Sequence, residues 1–398
     1  MLKSTTDVLI IGAGPTGLAL AITLQRAGID HILIDKLASG QNTSRAAVIH
    51  AHTLEMLDEL GVSPLLADEG LKLKKFSIRD RDRTLVQLRF DGLATAHPYL
   101  LILPQDVTER VLTDRLVALG GAIRRGITAT EVRQDATGVH VSLTSEAGMH
   151  SIAARYVVGA DGMHSMVRAA AGAEFAGGAH QESFILADVS MEWSHGRDEV
   201  MLFFSPAGLV VVVPLPNGNF RIVATLDDAP EHPSVGDVQT LIETRGPTTG
   251  AARVTNVAWS SRFRAHHRLA KAYRNQRLLL MGDAAHVHSP AGGQGMNTGL
   301  VDACVLGRLL TAVVSGAQVE AVLDQYQSLR RPAAEKVLGL AGRLTYLATI
   351  RSPAKCRVRN EILSLINHLP FVKHGVAMML SGLSRRQYAH ILTPARSS

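Results

Sequence analysis

The run Val8-Leu9-Ile10-Ile11 leads directly into Gly12-Ala13-Gly14-Pro15-Thr16-Gly17, and this junction constrains the fold more than any other stretch of the chain. Apolar residues recur at helical spacing from Leu18 to Ala27, and a second apolar run, His31–Asp35, follows. The pattern predicts a strand, a helix and a second strand. Gly12 permits the tight turn, Gly14 lets a pyrophosphate approach the backbone, and Gly17 lets the helix pack against the strand. The helix N-terminus, with Pro15 and Thr16 in its first turn, then faces the phosphates. Asp35 follows Gly17 by 18 residues, ends the second strand and suits a ribose hydroxyl, with Lys36 beside it. This is a dinucleotide site. The motif does not by itself distinguish FAD from NAD.

The chain of 398 residues is long enough for two or three domains, and 46% hydrophobic against 19% charged residues is a globular composition. Cys304 and Cys356 are its only cysteines, which excludes a disulfide framework and a cysteine metal cluster and predicts a reducing, cytoplasmic setting. The first apolar run is too short for a signal peptide, and no uninterrupted apolar stretch approaches the roughly 18 residues of a membrane span. Net charge is +6, yet residues 351–398 carry eight basic residues against the single Glu361, so the preceding part is close to neutral. Interleaved with Ile362, Leu365 and Phe371, that tail reads as amphipathic helices packed on the body, with peripheral membrane contact as the alternative. A nucleic-acid partner is not expected.

Residues 73–100 and 175–265 differ in texture. Phe184–Val189, Val200–Phe204, Leu209–Val213 and Phe220–Leu226 are strand-like runs separated by turn residues. The expected organisation is a nucleotide-binding domain over 1–72, 101–174 and 266–345, an inserted substrate domain over 73–100 and 175–265, and a C-terminal helical segment over 346–398. The fold class is α/β, a Rossmann-type domain with a mostly antiparallel sheet inserted.

Two further segments return to nucleotide-binding character. Tyr156-Val157-Val158-Gly159-Ala160 runs into Asp161-Gly162, and Arg277–Met281 runs into Gly282-Asp283, followed by the loop Pro290-Ala291-Gly292-Gly293-Gln294-Gly295-Met296-Asn297. With Ser44-Arg45-Ala46, Thr53-Leu54-Glu55 and Gln105, these segments resemble the class A flavoprotein monooxygenases, the para-hydroxybenzoate hydroxylase-like enzymes. Within that family the chain looks most like the phenol and polyketide hydroxylases. Its length leaves no room for the thioredoxin-like C-terminal domain of many such relatives.

The resemblance implies noncovalent FAD, NADPH or NADH as reductant, and oxygen as co-substrate. Asp283 would bind the ribityl chain, Arg45 and Gln105 the pyrophosphate and ribityl regions, and Asp161 with Gly162 the neighbourhood of the pyrophosphate. The loop holding Pro290 and Gly293 would present the backbone amides of Gly295, Met296 and Asn297 to the pyrimidine edge of the flavin, where reduction places negative charge. A flavin C4a-hydroperoxide would then hydroxylate an aromatic, phenolic or polyketide-like substrate, with Pro290 and Gly295 beside the reacting ring.

Phe204, Val211, Val213 and Phe220 are the candidate substrate wall, although strand alternation sends only half of each run to either face. His52 and its neighbour His50 could deprotonate a phenol or be structural; His52 stands where the family pattern often has arginine. Tyr388 could reach a substrate hydroxyl or cap the last helix. Asp283, His286 and His288 lie on a Gly/Pro loop without a further ligand, so no metal is expected. The open alternatives are a flavoenzyme acting on a quinone or prenyl chain at a membrane, and a non-catalytic FAD-binding partner protein. A monomer or homodimer is expected.

Overall fold

A computed structural model describes residues 3–40, 46–226, 229–289 and 292–391, with backbone alone at 179–182 and 265. Its first layer holds five parallel strands in the order Leu278–Leu280, Gly148–Gly159, Thr5–Ile11, His31–Asp35 and Ile123–Arg125. Val8, Leu9 and Ile10 are fully buried in the middle strand, which is why that strand reads as an unbroken apolar run rather than an alternation. Strands Thr128–Gln134 and Val139–Ser145 form an antiparallel meander on the first part of Gly148–Gly159.

Helix Pro15–Arg26 packs along helix Gly295–Val314. They approach closely because a Cβ on Gly299 would lie 2.5 Å from Thr16 Oγ1, and one on Gly307 2.5 Å from Thr23 Cγ2. By length and composition Gly295–Val314 could cross a membrane; here it is a largely buried helix packed on Pro15–Arg26.

The second sheet has the order His286–Val287, Ala252–Ala270, Phe175–Trp193, Phe220–Thr225, Gly208–Pro214, Glu199–Ser205, Lys75–Asp80, Arg83–Arg89. All neighbours are antiparallel except Glu199–Ser205 with Lys75–Asp80. Its outer face, with Met201, Phe203, Val210, Val212, Phe220 and Ile222, packs under helix Val235–Arg245. The inner face, with Phe204, Leu209, Val211 and Val213, meets the C-terminal helices Asp324–Ala348, Pro353–Asn367 and Pro370–Leu380.

Several C-terminal side chains are engaged with the body. The Arg359 guanidinium stacks 4.3 Å over the Phe204 ring, Asn360 Nδ2 donates to Asp80 at 2.8 Å, and Arg386 Nε donates to Glu55 at 2.9 Å. Val358, Ile362, Leu365 and Phe371 remain exposed on the far side.

Candidate active site

The glycine-rich turn has the geometry its sequence demands. Gly12 takes φ +108°, and a Cβ there would sit 2.3 Å from Ala160 O; a Cβ on Gly17 would sit 1.9 Å from Gly12 O. No L side chain fits either position. Gly14 is the N-cap of Pro15–Arg26, and no atom lies within 4 Å of where its Cβ would be, so the space before this helix is open. The helix has no side-chain cap and no acidic residue in its first turn, leaving its N–H groups to a ligand anion. Asp35 accepts from Ala13 N at 2.7 Å and Leu37 N at 2.8 Å, and each oxygen keeps a lone pair for a ribose hydroxyl. Lys36 is exposed beside it.

Thr16 packs between Gly282 and Gly299, which joins the first helix to the segment carrying Asp283. Asp283 is exposed in the short turn Gly282–Ala284. Asp161 Oδ2 accepts from Met166 N at 2.7 Å and Val167 N at 3.3 Å, so this carboxylate caps the helix Met166–Ala170; its buried Oδ1 has no partner. Arg168 bridges Met163 O and Ala284 O, tying the Asp161-Gly162 turn to the Gly282–Ala284 turn. Beneath both lies Asp302, fully buried, accepting from His286 Nε2 and Arg330 Nε, each at 2.7 Å, and from Gly282 N at 3.2 Å.

The loop before Gly295–Val314 is the most tightly braced part of the site. Asn297 Oδ1 accepts from His50 N at 2.8 Å, and its Nδ2 donates to Val48 O and Gly293 O. That side chain is therefore a clamp, and only the backbone of Asn297 remains for a ligand. Gln294 Nε2 donates to Gly292 O and Leu380 O, and its Oε1 accepts from Arg385 Nη2 at 2.6 Å. His50 Nε2 donates to Gly292 O at 3.0 Å. Burial pushes His50 and His288 down to about 4, so both are neutral at pH 7. Gln105 reaches the same region: its N donates to Ala46 O, and its Oε1 accepts from Ala46 N at 3.3 Å. Arg45 and Pro290 lie outside the described residues.

The sheet face completes the site and revises the substrate candidates. Phe204, Val211 and Val213 are on the inner face, where Leu202, Val211, Val223 and Phe263 are only partly buried. Leu344, in the same apolar cluster as Val211, stands 3.2 Å from where a Cβ on Gly292 would be, so the sheet face and the loop adjoin. Phe220 is on the opposite face, beside Trp193 and under the Arg197 guanidinium, because one residue along a strand reverses the side. The inner position belongs to Arg221, which sequence reasoning missed. Its guanidinium, 1% exposed, is held by Asp188 through two 2.7 Å bonds and donates to Ala46 O at 2.9 Å. Strand alternation after Phe220 was the signal that could have found it. Nearby, a cavity of about 530 Å³ opens between Leu103, Pro104 and Val107 on one side and Asp188, Leu215 and Trp259 on the other.

Two catalytic candidates remain, Tyr388 and His52. Tyr388 has its ring beneath Lys336 on the outside of Asp324–Ala348, and its carbonyl, not its hydroxyl, points to Arg330. His52 is buried under the C-terminal turn, where a Cβ on Gly382 would touch its Cβ at 3.2 Å. Burial lowers its pKa despite the neighbouring Glu55. Among the described residues no cluster of metal-ligating side chains occurs; His286 is committed to Asp302.

A dinucleotide with an extended flavin fits what is present: two uncapped helix starts held side by side, an open space at Gly14, and a carboxylate at the end of the second strand. Residues 5–341 match the FAD binding domain family, and the chain belongs to it. It is a class A flavoprotein monooxygenase, an FAD-dependent enzyme of aromatic hydroxylation. The chain is 34% identical over 394 residues to the 12-dehydrotetracycline 5-monooxygenase/anhydrotetracycline 6-monooxygenase of Streptomyces rimosus, covering 96% of this chain and 77% of that protein. It is 33% identical over 344 residues to pentachlorophenol 4-monooxygenase of Sphingobium chlorophenolicum, covering 83% and 63%. The solved anhydrotetracycline hydroxylase from Streptomyces rimosus superposes with TM-score 0.81 at 35% identity, covering 95% of this chain and 76% of that one. The p-nitrophenol 4-monooxygenase from Pseudomonas putida shares the fold with TM-score 0.88 at 24% identity over 98% and 100%.

Proposed function

We propose that this enzyme takes electrons from NADPH or NADH and inserts one atom of oxygen into a phenolic ring of a polyketide-like substrate lying between the inner sheet face and the loop at 292–297. The observation that carries this reading is the partly exposed apolar stretch Leu202, Val211, Val223 and Phe263 adjoining that loop. Bound FAD supplies two-electron reduction and the activation of oxygen for transfer to a ring. Gly12, Gly14, Pro15, Thr16 and Gly17 would receive its pyrophosphate with Asp161 and Gly162 nearby, Asp35 and Lys36 its ribose, and Gly282 and Asp283 its ribityl chain. Arg45 and Gln105 would contact its pyrophosphate and ribityl regions.

The chain's own groups then act by placement. The amides at Gly295, Met296 and Asn297 are aimed by a helix start without a side-chain cap and favour negative charge in front of it. Apolar side chains on the sheet keep water from the transfer. Arg221 binds the sheet to Ala46 and through it to Gln105, holding the two halves in register. His50 stays neutral and fixes the Gly292 carbonyl, so it supports the loop rather than accepting a substrate proton. The nearby cavity of about 530 Å³ is within the size range of ligand pockets and suits a polycyclic aromatic entering past Trp259.

The test is anaerobic mixing of the FAD-loaded enzyme with NADPH and a panel of phenols and fused-ring phenols, followed by oxygen. Faster bleaching with one aromatic, and a product carrying one atom from labelled O₂, supports the reading. Bound flavin that neither pyridine nucleotide reduces would refute it.

A further inference from the structure

Between the loop at 292–297 and the C-terminal turn at 382–386 lies a cavity of about 20 Å³, lined by His50, His52, Gln294, Arg330, Gly382 and Arg385. It has room for one water or one monatomic ion. The charges around it decide between them. Arg385 is half-buried and donates to two neutral acceptors, Gln294 Oε1 at 2.6 Å and Met379 O at 3.1 Å. Among the described residues no carboxylate lies within ion-pair distance of it. The adjacent Arg330 adds positive charge, and its own counter-ion, Asp302, is committed to it. Burial with this like-charged neighbour pushes Arg385 down to about 10, as expected of a guanidinium without an anionic partner.

The second observation is independent. His52 is 6% exposed, and neither of its ring nitrogens has a hydrogen-bond partner. Glu55 Oε2 is 3.5 Å from Nδ1, but that carboxylate is already engaged by Arg386 and Thr95. Buried polar atoms of this kind are rarely left unmatched.

We propose that this cavity is a binding site for a small monovalent anion of halide size, such as chloride, held by the Arg385 guanidinium and a ring N–H of His52. A water molecule would satisfy the histidine and leave the half-buried charge of Arg385 without an anionic partner, whereas an anion answers both. The ion would join the C-terminal turn, through Arg385, to helix Ala51–Asp58, through His52. The assignment does not depend on which aromatic the enzyme hydroxylates.

The experiment uses the full-length FAD-loaded protein. Thermal midpoints are recorded while gluconate is replaced by chloride at constant ionic strength, for wild type and for R385Q, which keeps a polar group opposite Gln294. Wild type should show a saturable rise in midpoint, and R385Q none. Crystals soaked in bromide should show anomalous density between Arg385 and His52, a readout that stands if R385Q fails to fold. Midpoints equal in the two salts, or density at the site containing water alone, would overturn the proposal. A bromide peak with no effect on the midpoint would mark an adventitious ion only and overturn it equally.

Discussion

Replacing Asp302 by Asn keeps the shape and one acceptor oxygen while removing a charge that three groups share. Arg330 Nε and His286 Nε2 each lie 2.7 Å from the carboxylate, and Gly282 N lies 3.2 Å away, all in fully buried surroundings. At about 4 Å between charge centres and an effective dielectric near 20, the Arg330–Asp302 attraction is on the order of 4 kcal/mol. Stranding a buried arginine by deleting its partner typically costs about 3–5 kcal/mol. D302N is therefore expected to lose about 3–5 kcal/mol in urea unfolding at pH 7 with FAD held in fixed excess. R330M alone strands the carboxylate and should lose a similar amount. The double variant D302N/R330M leaves neither charge and forfeits the bonds to Tyr388 O and Thr298 O, at about 1 kcal/mol each, so it should lie within roughly 2 kcal/mol of wild type. Burial acts to raise the Asp302 pKa, but Arg330 and His286 outweigh it and hold the carboxyl below its ordinary range. A depressed carboxyl contributes stability that is complete above the unfolded pKa, near 4, and is lost as pH falls through the lower folded value. Wild type should show this acid loss and D302N should lack it. A D302N cost under about 1 kcal/mol, or additive single effects, would refute the reasoning.

Other outcomes follow from the same structure. G17A places a Cβ 1.9 Å from Gly12 O, and overpacking of about 1–3 kcal/mol predicts FAD retention weakened roughly 10- to 100-fold on gel filtration. V211W should raise KM for the aromatic with little change in the flavin spectrum, while F220L, on the outer face, should cost about 1 kcal/mol of stability and leave KM unchanged; equal effects on KM would contradict the face assignment. His50, lowered to about 4 by burial, makes the folded protein lose stability as pH falls from about 6.5 toward 4, and H50Q should flatten that part of the stability profile. Cys304, raised to about 12 by burial, and the buried Cys356 should both resist a thiol reagent in the folded protein and react only after unfolding.

The parallel half of the fold was legible because its signals are local. A turn at Gly12, a close approach at Gly17 and a carboxylate at Asp35 are requirements of backbone geometry within one strand–helix–strand unit, and they hold wherever that unit sits. The antiparallel insertion was legible as strand-like runs, but which side of each run faced the site was not. Phe220 and Arg221 differ by one residue and face opposite sides, and only the packing of Val235–Arg245 on one face reveals which is which. A buried arginine on an otherwise apolar strand shows its purpose only once Asp188 and Ala46 stand beside it.

Roles that depend on distant chain were the ones the sequence left open. The backbone amide of Asn297 could be read from its place in a glycine-rich loop, but that the Asn297 and Gln294 side chains clamp Val48, His50 and Leu380 could not. His52 could be a base or structural until Gly382 is found packed on it, and Tyr388 a substrate contact or a cap until its ring is found under Lys336. Backbone conformation and strand period are written in neighbouring residues, so the chain alone establishes a dinucleotide fold and the loops that serve it. Burial and the pairing of charges depend on residues tens to hundreds of positions away, so the tertiary structure alone decides which polar groups meet the ligand and which hold the frame.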